Sequence, residues 1–225
     1  MPEKNLEFRG RRAGPSAFPL APPSKVPCIF LVSPANTGAK RGQLLCRESA
    51  EFDLAVRFRQ EGAPLGEVYS FISGLYFRGK LSYSRAFANP PRNVPGVLVM
   101  TTSRGLLTPD TWLSREDLLA MSAVPIDADE PRYREPLRRD ARALETQLIP
   151  DCRVVLLGSV ATTKYVAPLL DIFGSRLLFP IDFVGRGDMS RGGLLLRRVQ
   201  EQRELDYVPV ASTNLRGTRP PKLTR

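Results

Sequence analysis

The chain has 225 residues, of which 42% are hydrophobic and 25% charged, so it is long enough to bury a core without metals or disulfides. Lysine and arginine number 33 against 23 aspartates and glutamates, and the net charge of +10 favours a polyanionic partner. The chain contains no histidine, which excludes imidazole bases, Ser-His triads and histidine-ligated metals, and its three cysteines lack zinc-site spacing.

The two ends of the chain differ from its middle. Residues 1–25 are rich in Pro, Gly and Arg and are expected to form a disordered basic arm, and residues 211–225 a basic tail. We expect a single α/β domain over residues 26–210. The N-terminal segment lacks the apolar run of a signal peptide, and no apolar run approaches the roughly 20 residues of a membrane-spanning helix. We therefore expect a cytoplasmic location.

Four short apolar runs have the length and composition of strands. They cover residues 26–32, 96–102, 152–158 and 176–185, and each is followed by small or turn-forming residues. Their continuous apolar character, without alternation, is typical of strands that are buried on both faces.

Helical patterns separate these runs, at residues 41–62, 74–88, 135–148, 162–174 and 189–204. The alternation predicts a three-layer α/β fold in which a short, mostly parallel four-stranded sheet lies between helices. Ligands bind beyond the carboxyl ends of the strands in such sheets, so the segments that follow the strands are the candidates for chemistry.

The first of these segments, SPANTGAKRG, follows the first strand and offers Ser33, Asn36, Lys40 and Arg41. Two cations beside a helix start favour an anion or phosphate site. The segment matches neither a P-loop nor a dinucleotide-binding fingerprint, and an ordinary capped loop is the structural alternative.

The second segment, TTSRGLLTPD, places Ser103 and Arg104 at the end of the second strand. Either residue is a candidate for substrate binding. Asp110, which follows a proline, is expected only to cap a helix at TWLSREDLL.

The fourth strand leads into VGRGDMSRGG, the segment with the most glycines and charges. Arg186, Asp188, Ser190 and Arg191 lie among four glycines, which allow a backbone to approach a ligand. An aspartate between two arginines stays ionised and could orient water or stabilise an oxocarbenium ion. The alternative is that Asp188 or Ser190 caps the last helix and the arginines are solvated.

Residues 69–87 interleave aromatic and basic side chains, a pattern that stacks bases and binds phosphates. Tyr69, Phe71 and Tyr76 are the candidates for the site. Aromatic residues at helical spacing are also typical of a core, and some here are expected to be core.

Three segments together resemble a bacterial and phage family of poorly characterised proteins. Its members have a strand with a short polar loop, a helix of the type F-R-K-A-x-x-Y, and a strand ending S-A-K-Y-G-L-L-x-P-D. This chain has IFLVSPANTGAKRG, YFRGKLSYSRAF and VMTTSRGLLTPD in the same order, and the match spans residues 27–193.

The chain also resembles the uracil-DNA glycosylase superfamily, whose short parallel sheet carries its site at the strand ends. The resemblance places Asn36 where the family has a water-positioning Asp or Asn, and Ser103 and Arg104 near the base-reading position. The last loop departs from the family's H-P-S type, because this chain has GRGDMSRGG, and uracil itself is therefore in doubt as the substrate. In outline the chain is similar to anti-phage glycosylases that remove bulky modified bases.

Three hypotheses follow. The first is a DNA glycosylase-like enzyme in which Asn36 and Asp188 are catalytic and cations hold phosphates, without metal or cofactor. The second is a non-catalytic nucleic-acid-binding protein. The third is an enzyme that acts on a free nucleotide or sugar phosphate. The expected partner is nucleic acid, with DNA favoured over RNA, and neither a membrane nor a metal ion is expected.

Overall fold

A computed structural model describes residues 26–160 and 163–212 of the protein. The predicted basic arm at residues 1–25 lies outside the described residues. So does the predicted tail at 211–225, except for its first two residues.

Within the described residues, strands and helices alternate along the chain. The strands are β1 (Cys28–Val32), β2 (Ala63–Pro64), β3 (Val97–Met100), β4 (Leu106–Leu107), β5 (Trp112–Leu113), β6 (Arg153–Leu157), β7 (Leu177–Pro180) and β8 (Tyr207–Pro209). The helices are α1 (Lys40–Cys46), α2 (Asp53–Gln60), α3 (Leu65–Ser73), α4 (Leu75–Phe87), α5 (Arg115–Ser122), α6 (Pro131–Glu145), α7 (Thr163–Phe173) and α8 (Asp188–Gln200).

A mostly parallel sheet of six strands forms the centre of the α/β fold, in the order β4-β3-β1-β6-β7-β8. Its inner strands β3, β1, β6 and β7 are parallel and coincide with the four predicted runs. The expected number of four strands is corrected to six, because β4 and β8 pair antiparallel at the two edges. Strands of two and three residues are too short to show a periodic pattern. A separate small sheet pairs β2 with β5.

Helices cover both faces of the central sheet. All five residues of β1 are fully buried, as its continuous apolar run predicts. Ile29 and Leu31 pack in a cluster with α6 and α7 on one face. Phe30 and Val155 pack on the opposite face with α4 and α8.

The predicted helix at residues 41–62 is in fact two helices, α1 and α2. The break leaves backbone carbonyls without helical partners, and arginine side chains satisfy several of them. Arg115 Nε donates to the Cys46 carbonyl at 3.0 Å, and Arg59 Nη1 donates to the Glu48 carbonyl at 2.6 Å. Tertiary contacts therefore stabilise a break that the local pattern does not show.

The start of α5 also differs from expectation. Ser114 caps this helix in a capping box with Asp117, whose backbone N–H donates to Ser114 Oγ at 3.1 Å. Asp110 instead accepts a hydrogen bond from Arg85 at 2.6 Å on the surface.

Close packing between α4 and α8 brings together the two helices that carry the aromatic segment and the glycine-rich segment. A Cβ on Gly79 would lie only 2.7 Å from the Gly192 carbonyl oxygen, and one on Gly192 would lie 2.9 Å from the Leu75 carbonyl oxygen. Glycine at both positions therefore lets the two helix backbones touch.

Candidate functional site

A cavity of about 440 Å³ lies at the carboxyl ends of the parallel strands. Segments that follow all four parallel strands contribute to it, together with α4 and the start of α7. Its lining comprises Ser33, Pro34, Asn36, Thr37, Gly38, Ser73, Tyr76, Lys80, Thr102, Ser122, Val124, Pro125, Ile126, Ser159, Lys164, Tyr165 and Asp188.

Sheet topology explains this location. The segment after β1 leads to α4 on one face of the sheet, whereas the segment after β6 leads directly to α7 on the other face. Because β1 and β6 are neighbours, their connections diverge and leave a crevice between them. Such switch points are where open α/β sheets bind ligands.

Four of the predicted site residues line this one cavity: Ser33, Asn36, Tyr76 and Asp188. Asn36 lies in the loop after β1, and Asp188 is the first residue of α8. Asn36 is exposed, and the Asp188 side chain is 71% exposed, with Oδ1 3.7 Å from Arg191 Nη1. The fold therefore brings the two predicted catalytic side chains to one opening from positions far apart in sequence.

A buried lysine, which the sequence analysis did not select, lies on the inner side of the cavity. Lys80 is only 1% exposed, and its Nζ donates to the Ser33 carbonyl oxygen and to Ser33 Oγ, both at 2.7 Å. The same ammonium group lies 4.5 Å from the centre of the Tyr76 ring and 5.1 Å from that of Phe77.

Burial sets the protonation of this lysine. Loss of hydration lowers the pKa of Lys80 to about 7, which the nearby Asp188 carboxylate partly opposes and the Arg191 guanidinium reinforces. The amine is therefore neutral in a large fraction of molecules near neutral pH.

The Tyr76 hydroxyl is also buried, and it makes no hydrogen bond of good geometry within the described part of the chain. Burial raises the pKa of Tyr76 to about 12, although the charge of Arg191 acts in the opposite direction. The hydroxyl thus stays protonated at neutral pH.

The cavity has two parts that differ in exposure. We call Ser33, Tyr76 and Lys80 the floor, because none is more than 7% exposed. We call Asn36, Lys164 and Asp188 the rim, because these side chains are exposed or half-buried. Polar groups of the floor are dehydrated, whereas those of the rim remain in contact with water.

The cations predicted after β1 lie outside the cavity. Lys40 is exposed at the start of α1, and Arg41 donates from Nη1 to the Phe71 carbonyl at 3.2 Å. Both remain on the surface, where they could contact only a ligand that extends beyond the cavity.

Two of the three predicted aromatic residues pack in the core or against it instead of lining the cavity. Tyr69 is fully buried, its hydroxyl 3.6 Å from Met121 Sδ and its ring packed edge-on to Phe77. Phe71 stacks on Phe52 with ring centres 5.1 Å apart. Neither residue lines the cavity, because the helix α3 turns these side chains into a hydrophobic cluster.

Ser103 and Arg104 follow β3 but do not reach the cavity. Arg104 Nη1 is 3.0 Å from Asp117 Oδ1 of α5. The preceding residue Thr102 lines the cavity in their place.

The arginines before and within α8 stabilise the turn that leads into the helix. Arg186 Nε donates to the Asp182 carbonyl at 2.9 Å, and its Nη1 lies 3.4 Å from Ser190 Oγ. Arg191 donates to the Phe183 carbonyl at 3.0 and 3.2 Å. Arg186, Ser190 and Arg191 therefore position Asp188 without lining the cavity themselves.

The net charge is distributed unevenly along the chain. The described residues contain 24 lysines and arginines and 21 aspartates and glutamates. Most of the +10 charge therefore belongs to residues 1–25 and 213–225. Many of the cations in the described part form ion pairs, so its surface is only weakly basic.

One signal in the sequence could have identified Lys80. It lies four residues after Tyr76 and three before Tyr83, on the stripe of α4 that continues to Phe87. A lysine on an apolar stripe must either extend to the surface or be buried with partners. Only the packing of α4 against β1 and α8 decides between these outcomes.

The structure is that of an α/β protein with a cavity at the strand ends. None of the family models, curated proteins or solved structures compared with the chain matches it. In the described residues, no helix is long and apolar enough to cross a membrane, and no three His, Cys, Asp or Glu side chains cluster as metal ligands do.

Proposed function

We propose that the protein hydrolyses the N-glycosidic bond of a nucleobase that enters the strand-end cavity. The observation that carries this proposal is the presence of Asn36 and Asp188 at the rim of one cavity. The resemblance of the sequence to the uracil-DNA glycosylase superfamily supports the proposal, since that family also carries its site at the strand ends of a short parallel sheet.

The chemistry of N-glycosidic hydrolysis suits these side chains. As the base departs, positive charge develops on the sugar, and a carboxylate such as Asp188 stabilises it or orients the attacking water. The Asn36 amide oxygen accepts a hydrogen bond from that water. The base occupies the inner part of the cavity and the sugar lies at the rim, where both side chains and water are found.

The size of the cavity suits a small ring system. Its volume of about 440 Å³ falls within the range of roughly 300–1,000 Å³ that is usual for small-molecule sites. A nucleotide in a duplex must leave the stack to reach it, at a cost of a few kcal/mol.

We favour DNA as the substrate, with phosphates contacted by Lys164 at the rim and attracted by the cationic residues of the chain ends. The proposal that the base is modified, and that its removal defends a cell against phage, depends on the resemblance alone.

A free nucleoside or nucleotide is the second candidate substrate for the same reaction. The observation in its favour is the near balance of charges in the described residues, which offer a long polyanion little attraction.

Both substrates are tested by incubating the full chain with plain DNA, with phage DNA that carries modified cytosine or thymine, and with free nucleotides. Released base is measured directly, and abasic sites are broken by heat or alkali. We expect base to be released from one class of substrate only. Asn36→Ala and Asp188→Asn should each lower the rate of release by about 10²–10⁴-fold.

The matched control is Asp182→Asn, which removes a carboxylate that precedes α8 and does not line the cavity. It should keep wild-type activity. If DNA is retarded in a gel but no substrate releases base, the non-catalytic binding protein replaces this proposal.

A further inference from the structure

The floor of the cavity holds a pair of groups that base excision does not use. Ser33 Oγ and Lys80 Nζ are 2.7 Å apart, and the second hydrogen bond of the amine also goes to Ser33, at its carbonyl oxygen. Both residues line the cavity, and both are at least 96% buried.

We propose that Ser33 is an activated nucleophile and that Lys80 is its general base, so that the cavity cleaves a carboxylic ester or a similarly reactive acyl group. A serine hydroxyl needs an adjacent base to attack a carbonyl. Histidine is absent from the chain, and lysine paired with serine is the known alternative to it.

The hydrogen-bond geometry is compatible with a neutral amine. A neutral Lys80 donates one N–H to the Ser33 carbonyl oxygen and accepts the proton of the Ser33 hydroxyl with its lone pair. The pair is thus already arranged for proton transfer.

The surroundings of Lys80 favour this neutral form. Apolar and aromatic neighbours exclude water and lower the pKa of the amine to about 7, so that a base is available near neutral pH. The charged and titratable groups that face it are Asp188 and Arg191 on α8 and Tyr76 on its own helix. Asp188 favours the protonated amine, whereas Arg191 disfavours it.

The floor also provides a donor for the developing oxyanion. The buried Tyr76 hydroxyl makes no hydrogen bond of good geometry within the described residues, although the Arg191 guanidinium lies close enough to act on its pKa, and Tyr76 lines the same cavity. A protonated donor of this kind stabilises the negative charge of a tetrahedral intermediate.

Space for the serine is provided by the neighbouring strand end. A Cβ on Gly158 would lie 2.9 Å from Ser33 Cβ and 3.3 Å from Ser33 Oγ. Glycine after β6 therefore allows the Ser33 side chain to occupy its position beside Lys80.

The reaction balances without a cofactor. Lys80 takes the Ser33 proton as Oγ bonds to the carbonyl carbon, and the ammonium then protonates the alcohol as the ester bond breaks. Water attacks the acyl-serine, Lys80 accepts a proton from that water and returns it to Ser33 Oγ, and the products are an acid and an alcohol.

The test is labelling of the purified full chain with an alkyl fluorophosphonate, in which the serine oxygen displaces fluoride from phosphorus. Trypsin releases residues 26–40, a peptide whose only serine is Ser33. We expect a single adduct on this peptide, at a rate that rises with pH through an apparent pKa near 7.

Three variants separate the roles. Ser33→Ala should abolish the adduct, and Lys80→Met should slow labelling by about 10²-fold or more. Ser82→Ala, which changes an exposed serine of α4 that does not line the cavity, should label at the wild-type rate. Melting curves check that each variant is folded.

The proposal is overturned if labelling is spread over several serines, or if folded Lys80→Met labels as fast as the wild type with the same pH dependence. No nucleic acid is used, so the result is independent of whether the protein releases bases.

Discussion

The floor and the rim of the cavity differ in how their side chains obtain functional properties. Rim residues such as Asn36 and Asp188 are exposed to water, and the fold brings them together at one opening. Floor residues change their chemistry on folding, because burial lowers the pKa of Lys80 and raises the pKa of Tyr76. The chemistry of the rim side chains can therefore be read from their residue types, whereas the protonation of the floor side chains depends on the groups packed around them.

The comparison implies that the floor reduces the stability of the protein. A lysine that must lose its proton on burial costs free energy, and two hydrogen bonds to Ser33 recover only about 1 kcal/mol each. Lys80→Met keeps a long unbranched side chain but removes the amine. We expect it to raise the free energy of unfolding by about 1–4 kcal/mol at pH 7.

Urea unfolding measures this change. Asp188→Asn at the rim is the control and should lie within about 0.5 kcal/mol of the wild type. A marked loss of stability in Lys80→Met would instead identify the lysine as a structural support for the loop after β1.

The contact between α4 and α8 holds the floor beside the rim, and a second pair of variants tests it. Gly79→Ala should destabilise the protein by about 1–3 kcal/mol, because its Cβ would meet the backbone of Gly192. Gly193→Ala in the same helix meets nothing within 4 Å and should be neutral or stabilising by up to about 1 kcal/mol.

Chemical denaturation gives both values. Equal effects of the two alanines would show that the close approach of the helices does not restrict the residue at position 79.

The pH dependence of stability also distinguishes the floor from the rim. The pKa of Lys80 is about 7 in the folded chain and near 10.5 when unfolded, so between these values the unfolded state binds the extra proton. Stability should therefore rise with pH from 7 to 8.5, by at most about 1.4 kcal/mol per pH unit, and the penalty is fully present below pH 7.

Unfolding at several pH values measures this slope, and Lys80→Met should remove it. The range stops at pH 8.5 because burial also raises the pKa of the Cys28 thiol to about 12, which makes stability fall as the unfolded thiol ionises above about pH 9. A wild-type slope that persists in Lys80→Met would contradict the assignment of this lysine.

Much of the fold follows from short-range patterns. The four inner strands are continuous apolar runs followed by turn residues, and these patterns depend only on neighbours in sequence. Helices α4, α6, α7 and α8 were predicted within a few residues for the same reason. The break between α1 and α2 was missed, since Arg59 and Arg115 satisfy its carbonyls from other parts of the chain.

The candidate site divides in the same way. Asn36 and Asp188 could be selected from the sequence because the ends of parallel strands meet at one edge of a sheet, whatever the details of packing. Tyr69 and Phe71 could not be assigned, since an aromatic residue on a helix serves a core or a site equally well. The structure places Tyr69 in the core and Phe71, partly buried, against it.

The sequence by itself determined the parallel core of the sheet, the edge at which the cavity lies and two of the three polar side chains of its rim, Asn36 and Asp188. Only the tertiary structure decided that Lys80 is buried against Ser33 beneath that rim. The physical reason is that strand formation and strand-end location depend on local hydrophobicity, whereas the protonation of an amine depends on which groups from distant parts of the chain exclude water around it.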